Sequence, residues 1–437
     1  MKVGMISLGC SKNQVDSEMM LGLLLKSGFS LSLSLDESDL IIINTCAFID
    51  AAKNEAIETI AEVINKKRKG QKIVVCGCFA ERYKDFITYN FKDIDLVITL
   101  KDYPNFSSLI SSFFEVKNDS LSFTSRLLIS PSFSPYIRIA DGCNNHCAFC
   151  AIPLIRGSYQ SRKMEDIIDE ASYLVKGGAK ELNIIAQDTS KYGVDNYHKL
   201  MLPELLKKLS EIEGVYLIRI FYIYPETVTD ELISVIKSHE NIAPYFDIPL
   251  QHASNKVLSL MGRHFSKEKS ISLIQKIKKE IPSSVIRTTL MVGFPGESNK
   301  DFKELIQFVK EMRFFHMGAF TYSREEGTKS YFMKKRVPEI IKRRRYDILM
   351  NTQRIISEDL KRDLVGKEFS AIIDSYDEES VSYNIRSYHF APEGIDGSII
   401  AFSSLLEKLN PGDIVIVKIV SSSEYDLYGN IERKISK

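Results

Sequence analysis

The sequence predicts an α/β protein in three parts: an N-terminal parallel α/β domain, a central partial (β/α) barrel and a small C-terminal β-barrel. Three observations carry that prediction. Short apolar runs alternate with helix-period runs over the first hundred residues, and the alternation resumes from Tyr136 to about Arg345. From Gly366 onward only short β-rich runs separated by turns remain. A chain of 437 residues has room for two or three domains, and 44% hydrophobic with 26% charged residues is the composition of a globular protein. The expected boundaries are 1–115, a linker at 116–133, then 134–362 and 363–437.

In the first part, Lys2–Gly9 reads as a strand ending at Cys10, and 13–25 as a helix through Met19, Met20, Leu23 and Leu24. Asp39–Asn44 is an apolar strand that ends at Thr45-Cys46, followed by a helix from about Ala51 to Lys67. Lys72–Val75 is a further strand, ending at Cys76-Gly77-Cys78, and Asp95–Leu100 is the fourth. Parallel sheets place ligands at the C-terminal ends of their strands. Cys10, Cys46 and one of Cys76 or Cys78 stand at three such ends. Singly, each would be a core cysteine; their recurrence favours an iron–sulfur cluster.

Residues 107–134 are Ser-rich and read as a connector. The strand Tyr136–Ala140 then runs into D-G-C-N-N-H-C-A-F-C, Asp141 to Cys150. Three thiolates at C-x3-C-x2-C spacing suit an iron–sulfur cluster and leave a fourth iron open to an exogenous ligand. A zinc site completed by His146 is the alternative, because structural zinc takes four protein ligands. Further strands are expected at Glu181–Ala186, Tyr216–Tyr222, Tyr245–Ile248, Val285–Val292 and His316–Tyr322. Helices are expected at Met164–Val175, Pro203–Ile212, Asp230–His239, Lys267–Lys279 and Asn299–Glu311. Six strands make a partial barrel whose ligands gather at the C-terminal rim. There stand Gln187-Asp188-Thr189, Gln251-His252, Gly293 to Glu297 and Ser323 to Glu326. The glycine turn at Gly293 reads equally as a ligand loop or a plain connection.

Lys334 to Arg345 holds seven basic residues against Glu339 and reads as a solvated helix face or a nucleic-acid patch; the helix continues to about Leu364. Strands at Phe369–Ile373, Ser380–Arg386, Gly397–Phe402 and Ile414–Ser421 suggest a barrel of the oligomer-binding type. From Gly366 on, seven Lys and Arg face twelve Asp and Glu, about −5. That charge suits a basic partner better than a phosphate backbone. The chain as a whole is near +1, so nucleic-acid binding would have to be local. The chain opens on a strand without a signal peptide, and no apolar run reaches membrane-span length. All seven cysteines lie in the first 150 residues, an odd number that argues for cytoplasmic metal binding over disulfides.

The cysteine loop resembles the radical S-adenosylmethionine (SAM) signature C-x3-C-x-Φ-C, with Phe149 as the aromatic. S-L-G-C-S-K-N-Q-V-D-S-E (Ser7 to Glu18), N-T-C-A-F-I (Asn44 to Ile49) and C-G-C-F-A-E-R-Y (Cys76 to Tyr83) extend the likeness. Over nearly its whole length the chain resembles the radical SAM methylthiotransferase family. A-Q-D-T-S-K-Y-G (Ala186 to Gly193), Y-P-E-T-V-T-D-E-L (Tyr224 to Leu232), D-I-P-L-Q-H-A-S (Asp247 to Ser254) and F-T-Y-S-R-E-E-G-T (Phe320 to Thr328) are similar to its RimO branch.

The resemblance implies a cluster domain, a radical SAM domain and a C-terminal TRAM barrel. It implies two 4Fe–4S clusters, one on Cys10, Cys46 and Cys78 and one on Cys143, Cys147 and Cys150. The family ligand follows a Gly, so Cys76 is only the runner-up to Cys78. SAM would serve as radical source and methyl donor, touched by Phe149, Gln187 and Gly293, with no catalytic residue beyond the cluster ligands. The implied reaction adds a methylthio group to the β-carbon of an aspartate in small-subunit ribosomal protein twelve, a basic partner for the acidic barrel. An electron donor is required and a membrane is not. The sister MiaB branch, which modifies an adenosine in tRNA, is the alternative substrate class. A non-catalytic zinc-stabilised binding module is the alternative of another kind.

Overall fold

The structure, a computed structural model, describes residues 1–435. Its first domain is built from β1 (Lys2–Ser7), α1 (Ser11–Lys26), β2 (Ser30–Leu31), β3 (Leu40–Thr45), α2 (Asp50–Asn65), β4 (Lys72–Gly77), α3 (Cys78–Asn90), β5 (Leu96–Ile98) and α4 (Phe106–Ile110). The strands form one parallel sheet in the order β2-β1-β3-β4-β5. β3 reads L-I-I-I-N-T and is buried on both faces, as a central parallel strand must be. Leu40 and Ile42 pack with α1 and α4, whereas Ile41 and Ile43 pack with α2 and α3. The period-2 pleat thus divides one apolar run between two cores.

Three elements of this domain depart from the sequence expectation, the two-residue edge strand β2 among them. α3 was not anticipated, because its polar surface carries a weak apolar stripe, Phe79, Ala80 and Ile87. α4 lies inside the Ser-rich stretch, where Phe106 and Ile110 are buried between serines. The connector is also packed rather than free: Arg126 is buried between Glu18 of α1 and Glu170 in the next domain.

The central domain begins with β6 (Tyr136–Arg138), β7 (Ala140–Asp141), α5 (Ile152–Arg156), β8 (Gln160–Ser161), α6 (Met164–Lys176), β9 (Glu181–Ile185), α7 (Leu202–Ser210), β10 (Leu217–Ile220) and α8 (Asp230–Ser238). It continues through β11 (Tyr245–Asp247), α9 (Asn255–Leu260), α10 (Lys267–Glu280), β12 (Val285–Val292), α11 (Asn299–Met312), β13 (His316–Thr321) and α12 (Glu339–Arg362). Strands β6, β9 and β10 form one parallel sheet and β11, β12 and β13 another. Ile218 of β10 bridges to Ile242 just before β11, so six strands follow one another in chain order as an open barrel.

The last domain closes β14 (Glu368–Asp377), β15 (Ser382–Arg386), β16 (Ile399–Ser403), β17 (Ile414–Ser422) and β18 (Leu427–Lys434) into a barrel ordered β14-β15-β16-β18-β17. β18 is the strand the sequence reading lacks. It carries Gly429 and Asn430 and is recruited by distant partners, pairing with both β16 and β17. This barrel docks at the N-terminal ends of the central strands. Arg386 reaches Glu181 at the start of β9, and Asp396 reaches Arg287 of β12.

Candidate active site

The first cysteine set follows three neighbouring strands. Cys10 caps α1 after β1, Cys46 follows β3, and Cys78 opens α3 after β4. Gly77, at φ 91°, makes the turn that places Cys78 on the first turn of a helix. Two of the three sulfurs therefore stand at helix N-termini, where the dipole favours anionic ligands. Asn13 ties the strand ends together. Its Nδ2 donates to Leu8 O at 3.1 Å and Thr45 O at 2.9 Å, and its Oδ1 lies 3.4 Å from Cys78 Sγ. Burial pushes the Cys46 thiol up, and Cys10 adds to that shift; Cys78 is pushed up to about 12 by burial, with Arg156 opposing. Such thiols ionise only when a cation takes the proton's place, which is how thiolates bind metal.

Cys76 is elsewhere. It faces the α1 side of the sheet, with its sulfur 3.8 Å from Met20 Sδ in a closed apolar core.

The second set sits on a loop pinned at its base by the β7–β8 ribbon, with the Cys143 N–H donating to Gly157 O. The Cys150 N–H donates to Cys147 O at 3.0 Å and the Ala148 N–H to Met261 O at 2.8 Å, which fixes the loop against α9. Burial raises Cys150 to about 12, with Cys147 and Cys143 adding to it. Tyr224 Oη and Arg263 Nη1 lie 3.8 and 3.9 Å from Cys147 Sγ. The alternative zinc site would need Cys143, Cys147, Cys150 and His146 at about 2.3 Å or less from one ion. Among the described residues no three His, Cys, Asp or Glu side chains form a single-ion group. His146 instead lines a cavity of about 420 Å³ with Asn145, Lys191 and Tyr224.

The two sets share a junction: Cys78 packs against Ala151 and Ile155, just past Cys150. Gln187 donates Nε2 to Asp141 at 2.8 Å, while its buried Oε1 has no protein partner; nor have the buried Thr189 Oγ1 and Gln251 Oε1. Three unanswered polar atoms at the C-terminal rim fit a polar ligand there. Phe149 is half-buried, edge-on to Phe294 at 6.3 Å. The Gly293 N–H donates to the Glu297 carboxylate, and the Lys342 stem lies against its Cα.

Sequence reasoning missed Asn13, Arg156 and Arg263. Asn13 lies in S-K-N-Q and Arg156 in the run directly after the cysteine loop, so their positions were a signal. Arg263 had none. The basic run also divides: Lys342 donates to Tyr322 O and Arg345 pairs with Glu297, while Lys334, Lys335, Arg336, Arg343 and Arg344 stay exposed.

Residues 2–99 match the model of an uncharacterised family, UPF0004; residues 137–309 match the radical SAM superfamily, and residues 365–431 the TRAM domain. The fold is shared with the radical SAM methyltransferase TsrM from Kitasatospora setae, solved with cobalamin and a [4Fe-4S] cluster: TM-score 0.56, 12% identity, 75% of this chain and 76% of that one. The cobalamin-dependent radical enzyme OxsB matches at TM-score 0.51 and 12% identity, over 81% of this chain and 56% of that one. The chain is a radical SAM enzyme with a domain on either side.

Full-length relatives narrow the class. Ribosomal protein uS12 methylthiotransferase RimO of Caldanaerobacter subterraneus is 46% identical over 437 residues, 98% of this chain and 99% of that one. The RimO proteins of Thermoanaerobacter sp. and Acetivibrio thermocellus are 45% and 42% identical over 98% and 100% of this chain, and 99% of each of theirs. The chain belongs to the RimO family of radical SAM methylthiotransferases.

Proposed function

We propose that this chain adds a methylthio group to the β-carbon of an aspartate in small-subunit ribosomal protein uS12. The observation that carries the reading is the packing of Cys78 on Ala151 and Ile155, which sets the first cysteine triad beside the second across one domain junction. When bound, two 4Fe–4S clusters and SAM supply a 5′-deoxyadenosyl radical for an unactivated C–H bond and a sulfur that accepts a methyl group. Cys10, Cys46 and Cys78 would hold one cluster, and Cys143, Cys147 and Cys150 the other. Gln187 would give SAM its unsatisfied Oε1, with Phe149 and Gly293 flanking. The protein's own share is to fix the two triads and the target carbon in one geometry and to keep water out.

The boundaries proposed for this division of labour are 1–115, 134–362 and 363–437, with 116–133 as the strap between the first two. The barrel exposes seven acidic residues (Glu368, Asp377, Glu378, Glu379, Glu393, Glu407, Glu432) against Lys367, Lys408, Lys418 and Arg433, which supports a basic partner. It lies at the end of the strands opposite the cysteines. A partner held there would extend along α12, whose 24 residues span about 36 Å, to reach the junction. A ribosomal substrate places the reaction in the cytoplasm, with an electron donor; no helix among the described residues is long and apolar enough to cross a membrane.

The test is an anaerobic assay of reconstituted protein with dithionite and methyl-labelled SAM, offering uS12 and unmodified tRNA separately. Label on one aspartate of uS12 is the expected result. Label in tRNA would keep the chemistry and overturn the substrate.

A further inference from the structure

Arg156 touches both halves of the junction and reaches a cysteine sulfur as well. It is buried at the end of α5, with 3% of its side chain exposed. Its Nη2 donates to Asn13 Oδ1 at 2.7 Å and Asp16 Oδ2 at 2.8 Å, both in the first domain, and lies 3.8 Å from Cys78 Sγ. Its Nη1 donates to Asp141 Oδ2 at 3.0 Å, two residues before Cys143. The other Asp141 oxygen takes the Gln187 amide. A continuous path, Cys78–Arg156–Asp141–Gln187, therefore runs from the first triad to the rim.

We infer that Arg156 is a positioning residue for the methylthio transfer: it registers the first cysteine triad against the second and shares an Nη2 N–H, otherwise given to Asn13 and Asp16, with the Cys78 sulfur. The inference rests on Cys10, Cys46 and Cys78 holding a cluster. Only a guanidinium fits the role, because its planar fork addresses two directions at once. Arg138 shares the same carboxylates, with Asp16 at 2.6 Å and Asp141 at 3.6 Å. Two guanidiniums and two carboxylates balance, so what reaches Cys78 from Arg156 is a shared N–H contact rather than a net field. Hydrogen bonds to ligand sulfur stabilise the electron-rich, reduced state of an iron–sulfur centre. Removing this one lowers that centre's reduction potential and loosens the register between the triads.

The experiment uses full-length, anaerobically reconstituted chain carrying Arg156→Gln or Arg156→Lys. Each is made in the native background and in one with Cys143, Cys147 and Cys150 changed to Ala, where remaining iron reports the first triad alone. Arg156→Gln should keep that iron and make its one-electron reduction about tenfold less favourable, about 59 mV lower by EPR-monitored titration. In the native background, methylthio product per 5′-deoxyadenosine should fall roughly tenfold, the usual cost of losing an outer-shell partner. Arg156→Lys keeps the charge and the neutral lattice but reaches only one side, so its product ratio should fall too. An unchanged ratio in Arg156→Lys, or an unchanged potential in Arg156→Gln, overturns the inference. If the triple-Ala background with native Arg156 binds no iron, the reading of the first triad fails instead.

Discussion

Arg82 of α3 and Glu325, on the loop after β13, form a buried ion pair across the domain boundary, 3.0 Å from Nη1 to Oε2, with side chains 8% and 5% exposed. The second Glu325 oxygen accepts the Asp50 N–H at 3.1 Å, at the start of α2. One carboxylate thus holds the helices that follow Cys46 and Cys78 against the central domain. Glu325→Ala would strand the Arg82 charge and should cost about 3–5 kcal/mol of interdomain stability. Glu325→Gln, which keeps an acceptor for Asp50, should cost less. Calorimetry reads both; identical melting curves for the two variants would show that the Asp50 cap adds nothing beyond the ion pair.

Cys76 and Cys78 are two residues apart, yet Cys76 is still in β4 and packs into the α1-side core, whereas Cys78 opens α3 beyond the strand end. Cys76→Ala should remove one core sulfur at about 1 kcal/mol and leave the iron content intact. Cys78→Ala should lower iron by about half, one cluster of two, and stop methylthiolation while SAM cleavage persists. Iron and sulfide analysis beside the two product assays decides it, and reversed results would make Cys76 the ligand.

Legibility followed physical range. Strands and helices with a strong apolar period were readable, because Ile41 to Ile43 or Met19 to Leu24 encode their own burial. That Cys10, Cys46 and one of Cys76 or Cys78 follow neighbouring strands was readable from the alternation of strands and helices, and the Cys143–Cys150 loop was marked by its own spacing. Cys76 and Cys78 could be separated by resemblance but not by chemistry, since the turn at Gly77 that leaves Cys76 in the sheet and carries Cys78 onto α3 is a tertiary fact. α4 and β18 were hidden because Phe106, Ile110 and Leu427 are buried by partners far away in sequence. Arg126, and the pairings that Arg156 and Glu325 make, were invisible for a related reason: a buried charge shows itself only through the partner that neutralises it.

Acid should undock the C-terminal barrel. Burial lowers His316 to about 4, with Asp396 opposing, and lowers His389 to about 3. Burial would raise Glu181, but Arg386 and Arg219 overcome it and hold it at about 2. All three folded values lie below the unfolded ones, about 6.5 for His and 4.3 for Glu. Their stabilisation is therefore complete above those values and is lost as pH falls, the histidines first and Glu181 last. Small-angle scattering should show expansion beginning below about pH 6.5. In a His316→Phe, His389→Phe chain the onset should move down toward the Glu181 window. An onset unmoved by the double change would exclude the histidines as its cause.

Gly9 offers a test of the first triad that touches no sulfur. It sits at φ +90°, and a Cβ built there would lie 2.5 Å from Cys46 Cβ and 2.8 Å from its Sγ. Gly28 has the same φ of +90° with nothing within 4 Å of its Cβ position. Alanine at either site carries the left-handed backbone penalty, about 1–2 kcal/mol, so the pair separates strain from contact. Gly28→Ala should melt slightly earlier and keep its full iron. Gly9→Ala must displace Cys46, so iron should fall by about half while 5′-deoxyadenosine formation from the second triad stays near native. Equal iron in the two variants would mean that Cys46 can shift aside without losing its metal, and that the loop before Cys10 is not what fixes the triad.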